Sequence, residues 1–487
     1  MHFSILHISD LHRDLDDEIG NEWLLDSLEN DFNQFSEQTP QIMKPSLCIV
    51  SGDLVHGVGL GVEDADNELK RQYSQTETFL IGLADRFFNG ERERVVILPG
   101  NHDVCFNDVI QSVEKIEIPT ESEKKAPLVK ELFKPNSKLR WSWRDLCFYR
   151  ILDEDKYQNR FRYFVSTYDS FYQGKRAYQS APERQFDVFD FPDLGFFVVT
   201  LNSCFNNDPL RRTGAFHNDA LAKACRALRD NTRAGWLSSV TWHHNLVGKP
   251  EQNDYLDAGS LQHFIEAGAS LAFHGHQHLS ECFDERCQLG KKPRKITIVS
   301  AGTLCAEPNG LRPGIPRSYN IVELNTDSWK GVLHQRRMVN ADMPLPVWGG
   351  GYFINTGSSF FEFDICKPIE TRPKQLDEQL ILSQADNLLG EQKWHEALNV
   401  LEKIRNAPLA RSLIAKALEE INDPQLIIEK LYPPINNAEA VMIGGVILTD
   451  GTLEQAKAFV QLEFVSTNQD ASVRDISHRI TERRLNE

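Results

Sequence analysis

The sequence has no apolar run approaching ~20 residues, the length a bilayer demands of a spanning helix, so no membrane-embedded segment is expected. It also lacks the opening of a secretory protein. Met1 leads straight into Phe3-Ser4-Ile5-Leu6-His7-Ile8, without a basic stretch, an apolar stretch and a small-residue cleavage site in succession. Cysteine is sparse, and its nine residues are scattered and odd in number, which fits reduced thiols in a cytoplasmic protein. Cys282 and Cys287 stand closest together, but no second pair completes a zinc motif, and they read as ordinary loop residues. A basic excess is missing too: 53 Lys and Arg face 70 Asp and Glu, a formal net charge of -17. A protein that grips long nucleic acid by neutralising phosphates would show the opposite balance, although a local basic groove is not excluded.

What is present describes a soluble globular chain, 41% hydrophobic and 25% charged. Its 487 residues are too many for one ordinary core, so two domains or three are expected. Short apolar runs rich in Val, Ile and Phe lie at 3–8, 46–50, 94–98, 196–201, 239–242, 271–274, 295–299, 319–324 and 329–335. Being apolar at nearly every position, they predict strands covered on both faces, and their alternation with helical patterns predicts an α/β layered fold over 1–340. Two insertions interrupt it, near 55–93 and near 104–181. The first carries a long helical pattern. The second holds a charged, exposed run at 121–125 and then an aromatic cluster. There Trp141, Trp143, Phe148, Tyr149, Phe161, Tyr163, Phe164, Tyr168, Phe171 and Tyr172 interleave with Arg140, Arg144, Arg150, Arg160 and Arg162. Such a mixture can make a base-stacking surface. The plainer reading, preferred here, is helices packing apolar stripes on the core with Arg on the wet face.

Pro and Gly punctuate 341–374, so a linker is expected there, followed by an all-α helical domain over 375–487. Within it Ala385-Asp386-Asn387-Leu388-Leu389-Gly390 and Trp394-His395-Glu396-Ala397-Leu398 resemble a tetratricopeptide-type hairpin. Gly451-Thr452-Leu453-Glu454-Gln455-Ala456 is a weak echo at the wrong spacing for such repeats.

Short polar motifs stand where predicted strands end, the place where α/β sheets bind ligands. They are Ser9-Asp10-Leu11-His12, Ser51-Gly52-Asp53, Pro99-Gly100-Asn101-His102-Asp103, Trp242-His243-His244-Asn245 and His274-Gly275-His276-Gln277-His278. Extended residues at i and i+2 point the same way, so Asp10 with His12, and His276 with His278, should converge. The adjacent His243 and His244 should point apart, and His243, first after the strand, is the preferred ligand. His274 lies inside its strand and reads as a supporting donor. Seven oxygen and imidazole ligands are too many for one tetrahedral zinc and suit a pair of ions drawn from Mn, Fe or Zn.

In this order the blocks resemble the calcineurin-like metallophosphoesterase superfamily, whose pattern is D-x-H, GD, GNH-[DE], H and GH-x-H. Thr200-Leu201-Asn202-Ser203, Ile8-Ser9-Asp10-Leu11-His12 and the two histidine blocks look closest to its class III cyclic-nucleotide phosphodiesterase branch. His243-His244-Asn245 is also reminiscent of its DNA repair nucleases. The resemblance implies a four-layer α/β/β/α sandwich and a two-metal site. One divalent ion would be held by Asp10, His12, Asp53 and His278, the other by Asp53, Asn101, His243 and His276, with Asp53 shared. His102 would be the catalytic acid for the leaving oxygen. The implied reaction is attack of a metal-activated hydroxide on a phosphodiester, of nucleotide type by family likeness. Such a substrate, held mainly by metal ions, needs no basic excess. Two other readings are a DNA or RNA nuclease of the same superfamily, and an effector subunit docked to a protein partner through the helical domain. Asp103 is expected to orient His102 or to support a ligand. His56, Arg13 and the Arg211-Arg212-Thr213-Gly214 stretch are candidate phosphate contacts.

Overall fold

The computed structural model describes residues 1–14, 19–134, 137–248, 254–286, 294–340, 345–353, 356–368 and 374–485. These form two compact units, residues 1–371 and 372–487.

The first unit is built on two sheets. In one, the strands run in the order Trp348–Gly350, Lys330–Met338, Ser318–Asn325, His2–Ile8, Leu47–Val50, Val95–Ile97, with Phe360–Asp364 added to Lys330–Met338. The other runs Glu281–Arg286, Lys295–Ser300, Leu271–His274, Leu237–Thr241, Phe196–Leu201, Phe186–Phe191. All nine predicted strands are present. The uniformly apolar runs are buried throughout, as in Leu47–Val50, Phe196–Leu201 and Leu271–His274. The sheets face one another, with Phe3 against Phe196 at 5.3 Å and His7 against Phe273 at 5.1 Å between ring centroids.

Helices cover the outer faces. Ala65–Phe87 buries Leu69, Tyr73, Thr76, Leu80 and Leu83, the alternating four- and three-residue spacing of a single stripe. Each fully buried apolar side chain there contributes roughly 1.5–3 kcal/mol. The helix stops at Asn89-Gly90, both left-handed, where Gly90 N donates to Ala84 O at 3.0 Å. Asn21–Asn33 and Arg162–Phe171 join it in the same core. On the other sheet lie Asn218–Leu228 and Gly259–Ala267, whose Phe264 stacks on Trp242 at 5.7 Å. The result is an α/β/β/α sandwich.

The second insertion differs from expectation. It is only partly helical: Val113–Ile116, Leu139–Ser142 and Cys147–Ile151 make a three-stranded antiparallel sheet. Its arginines do not all face water. Arg140 is buried because Asp208 Oδ2 accepts from it at 2.7 Å, and Arg160 is buried because its guanidinium donates to Tyr157 O and Phe205 O. Of the ten aromatics named above, Trp143 alone is exposed. Among the described residues these rings are therefore spent mostly on packing, not on a broad base-stacking surface. The 122–124 side chains lie outside the described residues.

The segment 341–374 also carries structure. Trp348–Gly350 and Phe360–Asp364 both pair with Lys330–Met338, so the first unit runs on to residue 371. Glycine and proline punctuate these short strands without abolishing them. Cys282 sits in the Glu281–Arg286 strand and not in a loop, while Cys287 lies outside the described residues.

The second unit is all helical. Lys374–Gly390 and Trp394–Leu401 form the expected hairpin, with Ala385, Leu389, Ala397, Leu398 and Leu401 in its core. Thr452 starts Leu453–Gln461 with a reciprocal cap to Gln455. Among the described residues no helix is long and apolar enough to cross a membrane.

Candidate metal centre

Strands His2–Ile8, Leu47–Val50 and Val95–Ile97 run parallel, as do Leu237–Thr241 and Leu271–His274 in the facing sheet. Their carboxyl ends deliver the polar motifs to one place. Convergence arises differently from the extended i, i+2 geometry expected. Asp10, His12, Asp53, His276 and His278 all adopt positive φ, at 51°, 44°, 50°, 76° and 54°. Side-chain-bearing residues pay about 1–2 kcal/mol each for that conformation. Five such residues in one cluster mark strain held for a purpose. Neighbouring contacts maintain it. Asp10 N donates to Gly52 O at 3.1 Å, His12 N to Asp53 O at 3.0 Å, and His276 N to Asp10 Oδ2 at 3.0 Å.

Among the described residues His102 completes one donor group with His12 and Asp53, and His244 with Asp254 completes another with His276, both close enough to hold an ion. Two further groups consist of predicted ligands alone. In one, His278 Nε2 lies 3.3 Å from Asp10 Oδ1 and 3.1 Å from His12 Nε2, with His12 Nε2 3.9 Å from Asp53 Oδ2. In the other, His243 Nε2 lies 3.2 Å from Asp53 Oδ2 and 2.9 Å from Asn101 Oδ1, and His276 Nδ1 lies 2.9 Å from the same Asn101 oxygen. Asp10, His12 and His278, and separately Asp53, His243 and His276, are close enough to hold a metal ion. His102 also approaches, its Nε2 4.0 Å from Asp53 Oδ2.

The far side of each ring fixes its tautomer. His243 Nδ1 faces Ser51 O at 2.8 Å, His278 Nδ1 faces Gly310 O at 2.7 Å, and His276 Nε2 faces Asp254 O at 3.1 Å. Carbonyls only accept, so those nitrogens carry the protons and the inner nitrogens present lone pairs. Lone pairs of three imidazoles, an amide oxygen and two carboxylates thus meet at close range. Asp10 Oδ1 is buried without a hydrogen-bond donor. This set fits divalent cations. Burial pushes the His12 imidazole down to about 3, with His102 adding to it, and His276 likewise to about 3, so both are neutral at ordinary pH, the form a metal would need. For His243 burial works against charge, but Asp53 beside it, Asp10 and the Ser51 carbonyl together outweigh burial and raise the group to about 10. The same field that would protonate His243 attracts a metal ion.

A model of the calcineurin-like phosphoesterase family matches residues 3–280, more than half of the sequence. The chain belongs to that family. No curated protein matches it. As a calcineurin-like phosphoesterase it is by class a metal-dependent hydrolase of phosphoesters, and the remaining predicted residues can be placed within that frame.

His244 turns from the centre: its Nδ1 faces Ser203 Oγ at 2.9 Å and its Nε2 lies 3.1 Å from Asn207 Nδ2 and 3.3 Å from Asp254 Oδ1. His274 stacks on Trp242 at 5.9 Å, and its Nδ1 faces Gly275 O at 3.2 Å. Asp103 does not meet His102. It accepts from Gly100 N at 2.7 Å, Leu54 N at 3.2 Å and the Tyr73 hydroxyl at 2.8 Å, tying together the loops of Asp53 and Asn101. Burial, with Asp53 nearby, raises it to about 7. Arg13 is buried, donates to Ile19 O, and does not line the cleft over the centre. His56 and Arg212 line the cleft, about 860 Å³, that opens over His12, Asp53, Asn101, His102, His276 and His278.

Sequence reasoning missed several supports. Ser203 Oγ accepts from both His243 N and His244 N, and Asp254 lies 3.5 Å from His276 Nε2. Ser203 closes the Thr200-Leu201-Asn202-Ser203 stretch, which by itself assigns it no role, and Asp254 stands in no motif named above. Tyr73 arrives from a helix thirty positions before Asp103, a pairing no local pattern encodes.

Glycines clear the space. A Cβ on Gly100 would stand 2.1 Å from Asp53 Oδ1 and 2.3 Å from Asp53 N. Gly100→Ala is expected to displace that carboxylate, lower unfolding stability in denaturant by about 1–3 kcal/mol and weaken metal uptake. Wild-type metal content and stability in the variant would show that the loop yields freely.

Proposed function

We propose that this centre binds two divalent ions, drawn from Mn, Fe or Zn, and hydrolyses phosphodiesters of nucleotide type. One ion is held by Asp10, His12, Asp53 and His278, the other by Asp53, Asn101, His243 and His276. The observation that carries the reading is the place of Asp53, one of whose oxygens faces both donor groups, at 3.2 Å from His243 and 3.9 Å from His12. When bound, such ions supply Lewis-acid charge to the phosphoryl oxygens and lower the pKa of a water to make a nucleophile.

The chain's own residues do the rest. Asn101 contributes a ligand without negative charge, so two carboxylates leave the pair of ions with a positive excess. His102 Nδ1 donates to His56 O at 2.5 Å, and its Nε2 remains to carry a proton toward the cleft. The imidazole is 39% exposed, so substrate can reach it. Expulsion of an alkoxide needs such an acid. Loops from both sheets wall the cleft and fix the substrate's orientation. The nuclease alternative loses the aromatic surface that motivated it.

The test is a hydrolysis screen of chelator-stripped protein resupplied with single metals, across cyclic nucleotides, linear diesters, monoesters and short DNA or RNA. Turnover is expected only with metal, and fastest on nucleotide diesters. A preference for monoesters would overturn the diester assignment.

A further inference from the structure

The chain is strongly acidic, yet the wall of the metal cleft carries three arginines, Arg144, Arg212 and Arg312. They come from three separate loops. Arg144 lies on the turn joining Leu139–Ser142 to Cys147–Ile151, Arg212 follows the turn at 208–211, and Arg312 follows the Pro308–Gly310 turn. All three are exposed, and among the described residues none makes an ion pair within 4.0 Å. Two still act on nearby carboxyls: against burial, His244, His276 and Arg212 lower Asp254, and hydrogen bonds from Ser142 and Tyr149, with Arg144, lower Asp145. Several other guanidinium groups are paired, as in Arg140 with Asp208, Arg336 with Asp31 and Arg411 with Glu439.

Two of the three are held in place. Asp208, fixed by buried Arg140 and by the Tyr157 hydroxyl at 2.6 Å, accepts from Leu210 N and Arg211 N and so sets the turn that delivers Arg212. Arg312 donates to the amide oxygen of Gln277, the residue between His276 and His278. The cleft's carboxylates are largely committed. Asp53 belongs to the metal centre, Asp208 is neutralised by Arg140, and Asp254 is engaged by His244 and His276, leaving Glu307. Guanidinium forks match phosphate oxygens in geometry and charge.

We propose that Arg144, Arg212 and Arg312 form a second anion site beside the metal centre, and that the substrate is a phosphodiester carrying a further phosphate beyond the one hydrolysed. This rests on the phosphodiesterase reading above and names its substrate class. The metal ions serve the scissile phosphate, and the arginine wall serves its neighbour. The neighbour can be a second phosphate on a nucleoside whose cyclic phosphate is the diester, or the phosphorylated end of an oligonucleotide.

The test compares the full-length wild type with Arg144→Gln/Arg212→Gln/Arg312→Gln, whose exposed positions leave folding intact. With metal, kcat/KM is measured for the dinucleotide TpT and for its 5′-phosphorylated form pTpT. In chelator, binding of adenosine 3′,5′-bisphosphate and of the tetranucleotide pTpTpTpT is measured by calorimetry at two salt concentrations. Charge-assisted hydrogen bonds are worth about 1.5–3 kcal/mol, so the pTpT over TpT preference is expected to fall at least about tenfold, through KM. Bisphosphate binding should weaken by a similar factor and lose salt dependence. Equal responses of the two dinucleotides, or wild-type bisphosphate affinity in the variant, would overturn the site. If the metal-loaded wild type cleaves neither dinucleotide, the phosphodiesterase reading fails, and the binding arm still decides the anion site. Tighter capture of the tetranucleotide than of the bisphosphate assigns the second phosphate to a nucleic-acid end, and the reverse assigns it to a small nucleotide.

Discussion

Asp53→Asn is expected to empty the centre of metal and to reduce hydrolysis at least about a thousandfold, equivalent to ~4 kcal/mol of barrier. The substitution keeps shape and removes charge. Asp53 Oδ1 accepts from His102 N at 2.8 Å, and Oδ2 faces His243, His12 and His102. An amide can still accept from His102 N, so the loop should hold. Its NH₂ group would then point at the inner nitrogens of His243 and His12, where a shared anionic ligand is required. Metal per chain, measured by elemental analysis after gel filtration, should fall from two toward zero while the circular dichroism spectrum stays native. A variant that retains two ions would sink the proposed ligand set, whatever its activity.

The second large effect concerns His102. Loss of a general acid typically costs about 10²–10⁴-fold, and that penalty should fall on substrates whose leaving group needs a proton. For His102→Ala we expect a drop in that range on dinucleotides, and less than about tenfold on p-nitrophenyl diesters. Metal content should be unchanged, and that measurement matters because His12, Asp53 and His102 are themselves close enough to hold an ion. Metal loss in His102→Ala would make His102 a ligand. Equal losses on both substrates would remove its acid role.

The Gly100→Ala expectation bears on the same design from the backbone side. Asp53 occupies space that a methyl group would claim. Left-handed Asp10, His12, Asp53, His276 and His278 are kept from relaxing by hydrogen bonds between loops. The strain is local, and the two sheets that carry the loops are its anchor.

Much of this was legible in the chain. Runs such as Leu47–Val50 and Leu271–His274 are apolar at every position because both faces are covered, and such runs are visible without coordinates. The stretch 451–456, in the chain only a weak echo of the hairpin, leads into the helix Leu453–Gln461, where Thr452 and Gln455 cap each other. The three-stranded sheet of the second insertion was hidden, because Leu139–Ser142 and Cys147–Ile151 mix arginine with aromatics. That pattern suits a helix flank as well as a half-buried strand. Buried Arg140 could not be foreseen either, since its partner Asp208 lies in another segment.

At the centre the division is sharper. The sequence by itself determined the kinds of ligand, their order and their place at strand ends, because side-chain chemistry and apolar periodicity are local properties. The chain already favoured His243 over His244, but only tertiary structure supplied the partners Ser203, Asn207 and Asp254 toward which His244 turns. Tertiary structure alone put Asp103 to work on Gly100 N and Leu54 N and gathered Arg144, Arg212 and Arg312 on one wall. The reason is physical: which way a ring turns, and which charges share a cleft, depend on partners that chain order scatters and only packing brings together.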